Sequence, residues 1–394
     1  MDEVMKERVP GKKSILSLFS GAGFLDLGFL NEGFQVERAL EVNEQFIYGY
    51  NKAFEEYAKR TSNLYWSKGM ISHKHISETM DLSDKKNIIS ISKEFKGITG
   101  IIGGPPCQDY SIAGKNLGIL GERGKLIYSY LSFVKKIKPE FIFFENVEGL
   151  SKTKDHRESF KLLLETLDQL GYKVWHKIIN PLNYGFPQDR PRIIVVGFKK
   201  KIFRKLVRNG YRDNSVERLM NDDKSIFKFP EAKLILPKKS INWPQVWPYK
   251  SSVIEHEITT IPDIYKSLMV IQAFKGLTEE TPNQNDVFNS YSEKFHYIQE
   301  GDTRRKSFKR LHRFRYSPTV AYGNNEVHLH PTEPRRLSVR ESLRLQTVPD
   351  EFVFPRDLPL TAKFKMISNG VPTKIAELIA IEIKRTLRNY EDCL

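Results

Sequence analysis

The sequence has little cysteine and no long apolar run. Cys107 and Cys393 are its two cysteines, and they lie too far apart in the chain to suggest a disulfide framework. A disulfide-stapled secreted domain is therefore excluded, and a reducing cytoplasm is expected. No segment approaches the roughly 20 apolar residues that cross a bilayer. The charged residues 1–13 lack the apolar core of a secretion signal, so we expect no membrane association.

Acidic residues are fewer than basic ones. The chain has 63 Lys and Arg against 48 Asp and Glu, which gives a net charge of +15 over 394 residues. This balance suits a polyanionic partner such as nucleic acid, although a basic surface that serves only solubility would carry the same charge. The length exceeds what one hydrophobic core usually supports, which predicts one large domain and a smaller one.

Apolar runs typical of strands alternate with helical patterns over the first 200 residues. We predict strands at 15–19, 35–42, 98–103, 141–144, 174–179 and 193–196, and helices after the first glycine turn and at 43–59, 125–137 and 160–170. This alternation predicts an α/β fold with a mostly parallel sheet covered on both faces. After residue 198 the chain becomes basic and irregular. An apolar stripe at 372–388 predicts a final helix that packs back on the first domain, and Ser338 with Glu341 predicts a capping box.

A glycine turn, FSGAG at residues 19–23, joins the first predicted strand and helix. Glycine lets a ligand approach the backbone, and the helix N-terminus offers unpaired N–H groups. Asp26 stands where a dinucleotide fingerprint needs its third glycine, so the turn favours a nucleoside without a pyrophosphate. Glu41 ends the second predicted strand, where a carboxylate can accept hydrogen bonds from ribose hydroxyls. Together these residues predict a cofactor crevice.

The hexapeptide GGPPCQ at residues 103–108 places Cys107 on a rigid turn directly after an apolar strand. This position is typical of a nucleophile, but an inert core thiol fits the hexapeptide equally well. Tyr110 stands where a zinc-dependent nucleobase deaminase needs its second cysteine, which argues against a zinc site. A Cys–His hydrolase stays open, because the sequence has nine histidines and places none of them beside Cys107.

Two further polar clusters follow apolar strands. Glu145 comes directly after residues 141–144, where apolar surroundings would raise its pKa and let it hold a proton near neutral pH. Gln188, Arg190 and Arg192 alternate in an extended segment, so they share a face and could point into one site. Each cluster alone is also compatible with a solvated surface.

In chain order, these blocks resemble the motif series of the cytosine-C5 DNA methyltransferases. The resemblance rests on residues 18–23, 105–108, 145–147, 188–192, 336–350 and 368–372. It implies a Rossmann-like methyltransferase fold with a mixed, mostly parallel sheet, S-adenosylmethionine as the methyl donor, no metal, and a monomer acting on double-stranded DNA. Ser368 and Gly370 depart from the usual closing motif. The usual adenine-contacting aspartate is missing near residues 74–77, and Asp81 or Asp84 could replace it.

The resemblance also implies a division of the chain and roles for individual residues. Residues 1–200 would bind the cofactor and catalyse, 201–320 would recognise the target, and 321–394 would complete the first domain. The implied catalytic residues are Cys107, Glu145, Arg190 and Arg192. The implied cofactor-binding residues are Phe19, Ser20, Gly21, Gly23, Leu25, Glu41, Pro105 and Asn369. The implied DNA-binding residues are Gln108, Ser111, Gln188, Arg304, Arg305 and Arg313.

The sequence therefore predicts a site-specific DNA (cytosine-5) methyltransferase, paired with a restriction endonuclease in a bacterial cytoplasm or nucleoid. Cys107 would add to C6 of a cytosine flipped out of the duplex, while Glu145 protonates N3 and Arg192 steadies O2. The basic segment 303–316 would hold phosphates. A tRNA cytosine methyltransferase of the same fold and a DNA-binding homologue without catalysis are the alternatives.

Overall fold

A seven-stranded sheet is the centre of the fold. The structure, a computed structural model, describes residues 13–61, 77–106, 124–213, 224–234, 241–253, 261–305, 307–320 and 326–394. The strands are β1 (Ser14–Leu18), β2 (Gln35–Glu41), β3 (Ser77–Thr79), β4 (Gly100–Gly103), β5 (Phe141–Val147), β6 (Tyr172–Ile179), β7 (Gln188–Asp189), β8 (Arg192–Lys199) and β9 (Ser317–Pro318). The large sheet has the order β3-β2-β1-β4-β5-β8-β6, and β7 pairs separately with β9.

The sheet is mostly parallel, as predicted. β1 to β5 pair in parallel, and β8 runs antiparallel between β5 and β6. Residues 141–144 of β5 are fully buried, because helices cover both faces of the sheet and leave no solvated side for alternation. The helices are α1 (Phe24–Asn31), α2 (Glu44–Arg60), α3 (Lys85–Glu94), α4 (Gly124–Ile137), α5 (Gly149–Lys152), α6 (Lys154–Gln169), α7 (Lys200–Arg208), α8 (Asp263–Lys266), α9 (Val270–Phe274), α10 (Lys294–Tyr297), α11 (Val339–Leu345), α12 (Leu360–Asn369) and α13 (Thr373–Glu391).

The final helix packs back on the first part of the chain, which confirms the prediction from its apolar stripe. α13 lies against α1, and a Cβ at Gly28 would collide with the Cβ of Ala376. Only glycine allows the two helices to approach this closely. The capping box is also present, because Ser338 Oγ accepts from Glu341 N while Glu341 accepts from Ser338 N.

Several elements were not predicted from the sequence: β3, β9, α3, α5, α7, α8, α9, α10 and α12. β3 has three residues with one buried side chain, and α7 lies directly after residue 198, where the prediction of an irregular chain was wrong. α6 begins at Lys154, earlier than the predicted start at residue 160. The prediction missed this part because the first turns of α6 are charged and lack the apolar spacing that marks its later part. Strand and helix positions otherwise agree with the prediction to within a few residues.

The middle of the chain has its own small core. Trp243, Leu268, Met269 and Phe314 are buried together there. Ile226 and Phe227, however, belong to the core beneath the large sheet. The boundary of the target-recognition domain at residue 201 stays a prediction. No helix in the described ranges is both long and apolar enough to cross a membrane.

A buried aspartate braces the cofactor side of the sheet. Asp26 of α1 accepts hydrogen bonds from Ser17 Oγ of β1 at 2.6 Å and from Tyr50 Oη of α2 at 2.8 Å. Burial raises the pKa of Asp26 from 3.8 to about 6, although both hydrogen bonds act in the opposite direction. The carboxyl group therefore fixes three elements around the glycine turn and titrates near neutral pH.

Replacing this carboxyl group should change how stability depends on pH. The folded pKa lies above the unfolded pKa, so the stability contributed by neutral Asp26 is complete below pH 3.8 and lost as pH rises through about 6. We expect the free energy of unfolding of Asp26→Asn to gain up to ~3 kcal/mol on the wild type over that rise. Urea denaturation of both proteins at pH 4, 6 and 8 measures this difference. A constant difference across pH would contradict the assignment.

Candidate active site

The glycine turn after β1 has the backbone shape that a close ligand requires. Phe19, Gly21 and Gly23 have φ of 57°, 55° and 77°. A Cβ at Gly23 would collide with the rings of Tyr50 and Phe54, whereas no atom lies within 4 Å of the Cβ position at Gly21. The turn is therefore closely packed against side chains at Gly23 and open at Gly21.

Glu41 ties this turn to the end of β2. Its Oε2 accepts from Gly21 N at 3.0 Å, and its Oε1 accepts from Val42 N at 2.9 Å and Asn43 N at 3.1 Å. A carboxylate has about four acceptor positions, so one remains for a ligand hydroxyl. Val42 is 61% exposed although it is apolar. The arrangement fits a nucleoside group, and the exposed Val42, which the sequence analysis did not single out, directly follows Glu41.

Other predicted cofactor contacts differ in their surroundings. Ser20 Oγ lies 3.4 Å from Ser77 Oγ, and Leu25 is buried in the core, so only its backbone can face a ligand. Asp84 caps α3 by accepting from Lys86 N, and Asp81 accepts from Ser83 N and Oγ. Both aspartates serve local turns, and the adenine contact stays unassigned.

Glu145 forms a buried ion pair near the carboxyl end of β5. It is 8% exposed, and its Oε1 lies 3.1 Å from Arg192 Nε. Burial raises the pKa of Glu145, while Arg192 and then Arg190 lower it by a smaller amount. The predicted direction of this pKa shift is confirmed. The site therefore holds a carboxyl group that retains a proton more readily than a solvated glutamate.

The end of β5 also holds the start of the cysteine loop. A Cβ at Gly104 would lie 2.7 Å from Glu145 Oε2. Asn146 Nδ2 donates to Pro105 O at 3.1 Å, and Asn146 Oδ1 accepts from Val147 N at 2.9 Å. The backbone before the cysteine is thus fixed against the acidic side chain. The predicted residues Cys107, Gln108 and Ser111 lie outside the described residues.

Arg190 is placed beside the same pair. Its side chain is buried, its Nη2 donates to Ser368 O at 2.6 Å, and its Nε and Nη1 have no hydrogen-bond partner among the described residues. Asn369 follows directly and is exposed at the end of α12. The structure thus joins the QDRPR segment to the closing motif that the sequence identified 180 residues later.

Gln188 does not reach the surface. Its side chain is fully buried, donates to Leu345 O and Gln346 Oε1, and accepts from Val320 N. The predicted DNA contact of Gln188 therefore has no support in this arrangement. Gln188 instead faces the end of α11 and the chain around Val320, whereas Arg190 and Arg192 lie beside Glu145.

Arg313 is also an internal residue. Glu300 is fully buried, and its carboxylate accepts from Arg313 Nε at 2.9 Å and Nη2 at 3.1 Å. Arg313 Nη1 and Nη2 further donate to the carbonyl oxygens of Val253 and Ser251. The predicted DNA contact of Arg313 has no support here, because its guanidinium group is already paired with the buried carboxylate of Glu300. Arg304 and Arg305 are exposed and stay candidates for phosphate contacts.

Fold and site together define a Rossmann-like α/β protein. Its glycine turn and the acidic residue at the end of the next strand suit a nucleoside group, and a buried Glu–Arg pair lies at the end of β5 in the same sheet. No group of three or more His, Cys, Asp or Glu side chains suited to a metal ion occurs in the described ranges.

Comparisons with known proteins give the family. The family model for C-5 cytosine-specific DNA methylase matches residues 13–385. The chain is 40% identical to Type II methyltransferase M.NmeDI of Neisseria meningitidis serogroup C, covering 96% of this chain and 85% of that protein. It is 30% identical to Type II methyltransferase M.FnuDI of Fusobacterium nucleatum, covering 96% of each.

Solved structures agree on the fold. The S. pombe Dnmt2 methyltransferase matches with a TM-score of 0.57 at 14% identity, over 95% of this chain and 98% of that chain. The Entamoeba histolytica methyltransferase EhMeth matches with a TM-score of 0.58 at 14% identity, over 96% and 98%. The chain belongs to the C-5 cytosine-specific DNA methylase family and is a DNA (cytosine-5) methyltransferase. The tRNA alternative is not favoured.

The Gly104 contact predicts a variant that folds but works poorly. Gly104→Ala would push the end of the Glu145 side chain away, which is a small adjustment for folding but misplaces the acid. We expect an unchanged melting temperature and a fall in kcat of about 100-fold. Gly149→Ala is the matched control, because its Cβ would meet nothing closer than 3.9 Å. Equal activity of the two variants would refute the contact's importance.

The internal role of Arg313 predicts a loss of stability. Arg313→Ala leaves the buried carboxylate of Glu300 without its partner, so we expect the free energy of unfolding to fall by about 3–5 kcal/mol. Arg305→Ala is the control, since its exposed pair with Asp302 contributes less than about 1 kcal/mol. Chemical denaturation measures both values. Similar small losses would show that the ion pair contributes little.

Proposed function

We propose that this protein is the modification methyltransferase of a Type II restriction-modification system. It would methylate C5 of one cytosine within a specific duplex sequence and so protect that DNA from a cognate endonuclease. Relatives named Type II methyltransferase that align over 96% of the chain support this proposal. The observation that carries the chemistry is the buried Glu145–Arg192 pair against the backbone that leads to Cys107.

Cys107 is the proposed nucleophile. Cytosine C5 reacts poorly with an electrophilic methyl group, and a thiolate that adds to C6 makes C5 electron-rich. The sulfur–C6 bond forms while the ring electrons move toward N3 and O2. An ordinary cysteine has a pKa of about 8.5, so nearby positive charge is needed to supply the thiolate. Arg190 and Arg192 provide two cations on the segment next to Glu145.

Glu145 is the proposed proton donor to N3. Burial raises its pKa, so it retains a proton more readily than a solvated glutamate, and Arg192 Nε at 3.1 Å from its Oε1 fixes its position. Donation at N3 neutralises the charge that sulfur addition creates, while Arg192 steadies O2. After methylation the C5 proton leaves to a base, the sulfur–C6 bond breaks to restore the thiolate, and N3 returns its proton to Glu145.

S-Adenosylmethionine supplies the activated methyl group. The proposed contacts to it are the turn of Phe19, Ser20, Gly21, Gly23 and Leu25, together with Glu41, Pro105 and Asn369. Glu41 would accept from ribose hydroxyls, and the exposed Val42 would give the base an apolar surface. The open space above Gly21 supports this placement.

The target base must leave the duplex before the thiol can reach C6. Flipping costs a few kcal/mol, which contacts to the rest of the DNA must offset. We assign this to residues 201–320, with Arg304 and Arg305 as phosphate contacts and with Gln108 and Ser111 beside the vacated base. Residues 1–200 and 321–394 would form the catalytic domain of a monomer in the bacterial cytoplasm or nucleoid.

A covalent trap tests the proposal. In DNA that carries 5-fluorocytosine a fluorine atom stands in place of the C5 proton. A base cannot remove this fluorine, so the sulfur–C6 bond is not broken after methyl transfer. We expect the wild type to form a denaturation-resistant adduct in the presence of S-adenosylmethionine, and Cys107→Ala to form none. Adduct formation by Cys107→Ala would overturn the assigned nucleophile.

Bisulfite sequencing of DNA from cells that express the chain would identify the methylated cytosine and its sequence context together. Protection of the same DNA from endonucleases that cut at that sequence would support the restriction-modification role. Methylation of tRNA instead of duplex DNA, measured with labelled cofactor, would contradict it.

A further inference from the structure

Two buried glutamines connect the segments that meet at the active site. Gln188 Nε2 donates to Leu345 O at 2.8 Å and to Gln346 Oε1 at 3.3 Å, and Gln188 Oε1 accepts from Val320 N at 3.1 Å. The same segment pairs with the middle region through β7 and β9, and Thr319 Oγ1 donates to Asp189 O at 2.8 Å. One end of this amide network therefore lies on the last residues of the proposed target-recognition region.

The other end lies on the proposed cofactor segment. Gln346 Nε2 donates to Ile367 O at 2.7 Å, and Gln346 O accepts from Thr373 N at 3.1 Å. The side-chain amide of Gln346 thus contacts the chain before Asn369, and its backbone carbonyl contacts the chain after it. Arg190, two residues after Gln188, donates to Ser368 O. The chain next to Asn369 is thus held by the same segment, residues 188–190, that contacts Val320.

The network has no solvent to replace a lost contact. Gln188 and Gln346 are both fully buried. A buried amide that loses its partner keeps the desolvation penalty of the unpaired group. We therefore expect the loss of one hydrogen bond to weaken the others in the network. A shift of the Val320 segment on DNA would therefore be felt at Ile367 and at Asn369.

We propose that Gln188 and Gln346 are positioning residues that couple the target-recognition segment to the cofactor segment. DNA binding and cofactor binding would then strengthen each other by the same factor, as thermodynamic linkage requires. The inference rests on the proposed function, since it takes duplex DNA and the methyl donor as the two ligands. It gives Gln188 an internal role in place of a DNA contact.

The test measures cofactor-product affinity with and without DNA. The probes are S-adenosylhomocysteine and unmethylated plasmid DNA, and calorimetry gives the Kd. We expect DNA to tighten binding to the wild type by about 5- to 150-fold. In Gln346→Met, which keeps the side-chain length without the amide, we expect a Kd about tenfold higher without DNA and little further tightening when DNA is added.

Two further variants separate coupling from general softening. Gln188→Met breaks the network from the DNA side, so it tests the same claim if Gln346→Met does not fold, and the double variant should be no weaker than the worse single one. Ser342→Ala is the matched control, because Ser342 is buried on α11 and its hydroxyl has no partner among the described residues. This variant should keep both the affinity and the tightening of the wild type.

The outcomes distinguish this inference from the proposed function. Glutamine variants that keep the wild-type tightening by DNA would overturn the coupling, and so would an equal loss in Ser342→Ala. A wild type that shows no tightening would overturn it as well. Incorporation of labelled methyl groups into the same plasmid by the wild type reports on the proposed function separately, and its absence would refute that function first.

Discussion

The candidate active site is organised around one carboxyl group that is removed from water. Glu145 sits near the end of a strand whose preceding residues are fully buried, so its charged form is penalised, while Arg192 at 3.1 Å partly restores it. Desolvation raises the pKa of the carboxyl group and favours the neutral form that can donate a proton, whereas the charge of Arg192 favours the carboxylate. The packing of the central sheet sets the balance of these two effects.

The rest of the local structure follows from keeping that group in place. Gly104 has no side chain because a Cβ would reach the carboxylate, and Asn146 holds the next carbonyl group. Arg190 is anchored on the carbonyl of Ser368, so the closing segment of the chain supports the cation next to the acid. Segments far apart in sequence meet here because α13 returns to α1 and brings the last part of the chain to the sheet.

The sequence predicts the scaffold and the motif residues well, because both leave strong local patterns. Apolar runs such as residues 141–144 identify central strands, and Ser338 with Glu341 identifies a helix start. It fails where the outcome depends on tertiary partners. Gln188 and Arg313 are residue types that often contact DNA. In the structure, however, Gln188 donates to the backbone carbonyl of Leu345 and Arg313 donates to the buried Glu300. β3 was missed because three residues carry no periodicity, and it forms only because β2 offers an edge.

The reversed direction of β8 decides where the middle region is attached. The strand starts beside Val147, at the end of the sheet where Glu145 lies, and finishes at the opposite end, where Phe198 faces Phe141. The middle region therefore begins away from Glu145, and the chain comes back to that side where Ser317 pairs with Gln188. The last part of the chain also holds the middle region, because Arg344 of α11 donates to Ala273 O and Arg385 of α13 donates to Ser225 O. A change in the length of the middle region would thus act on two helices as well as on β7.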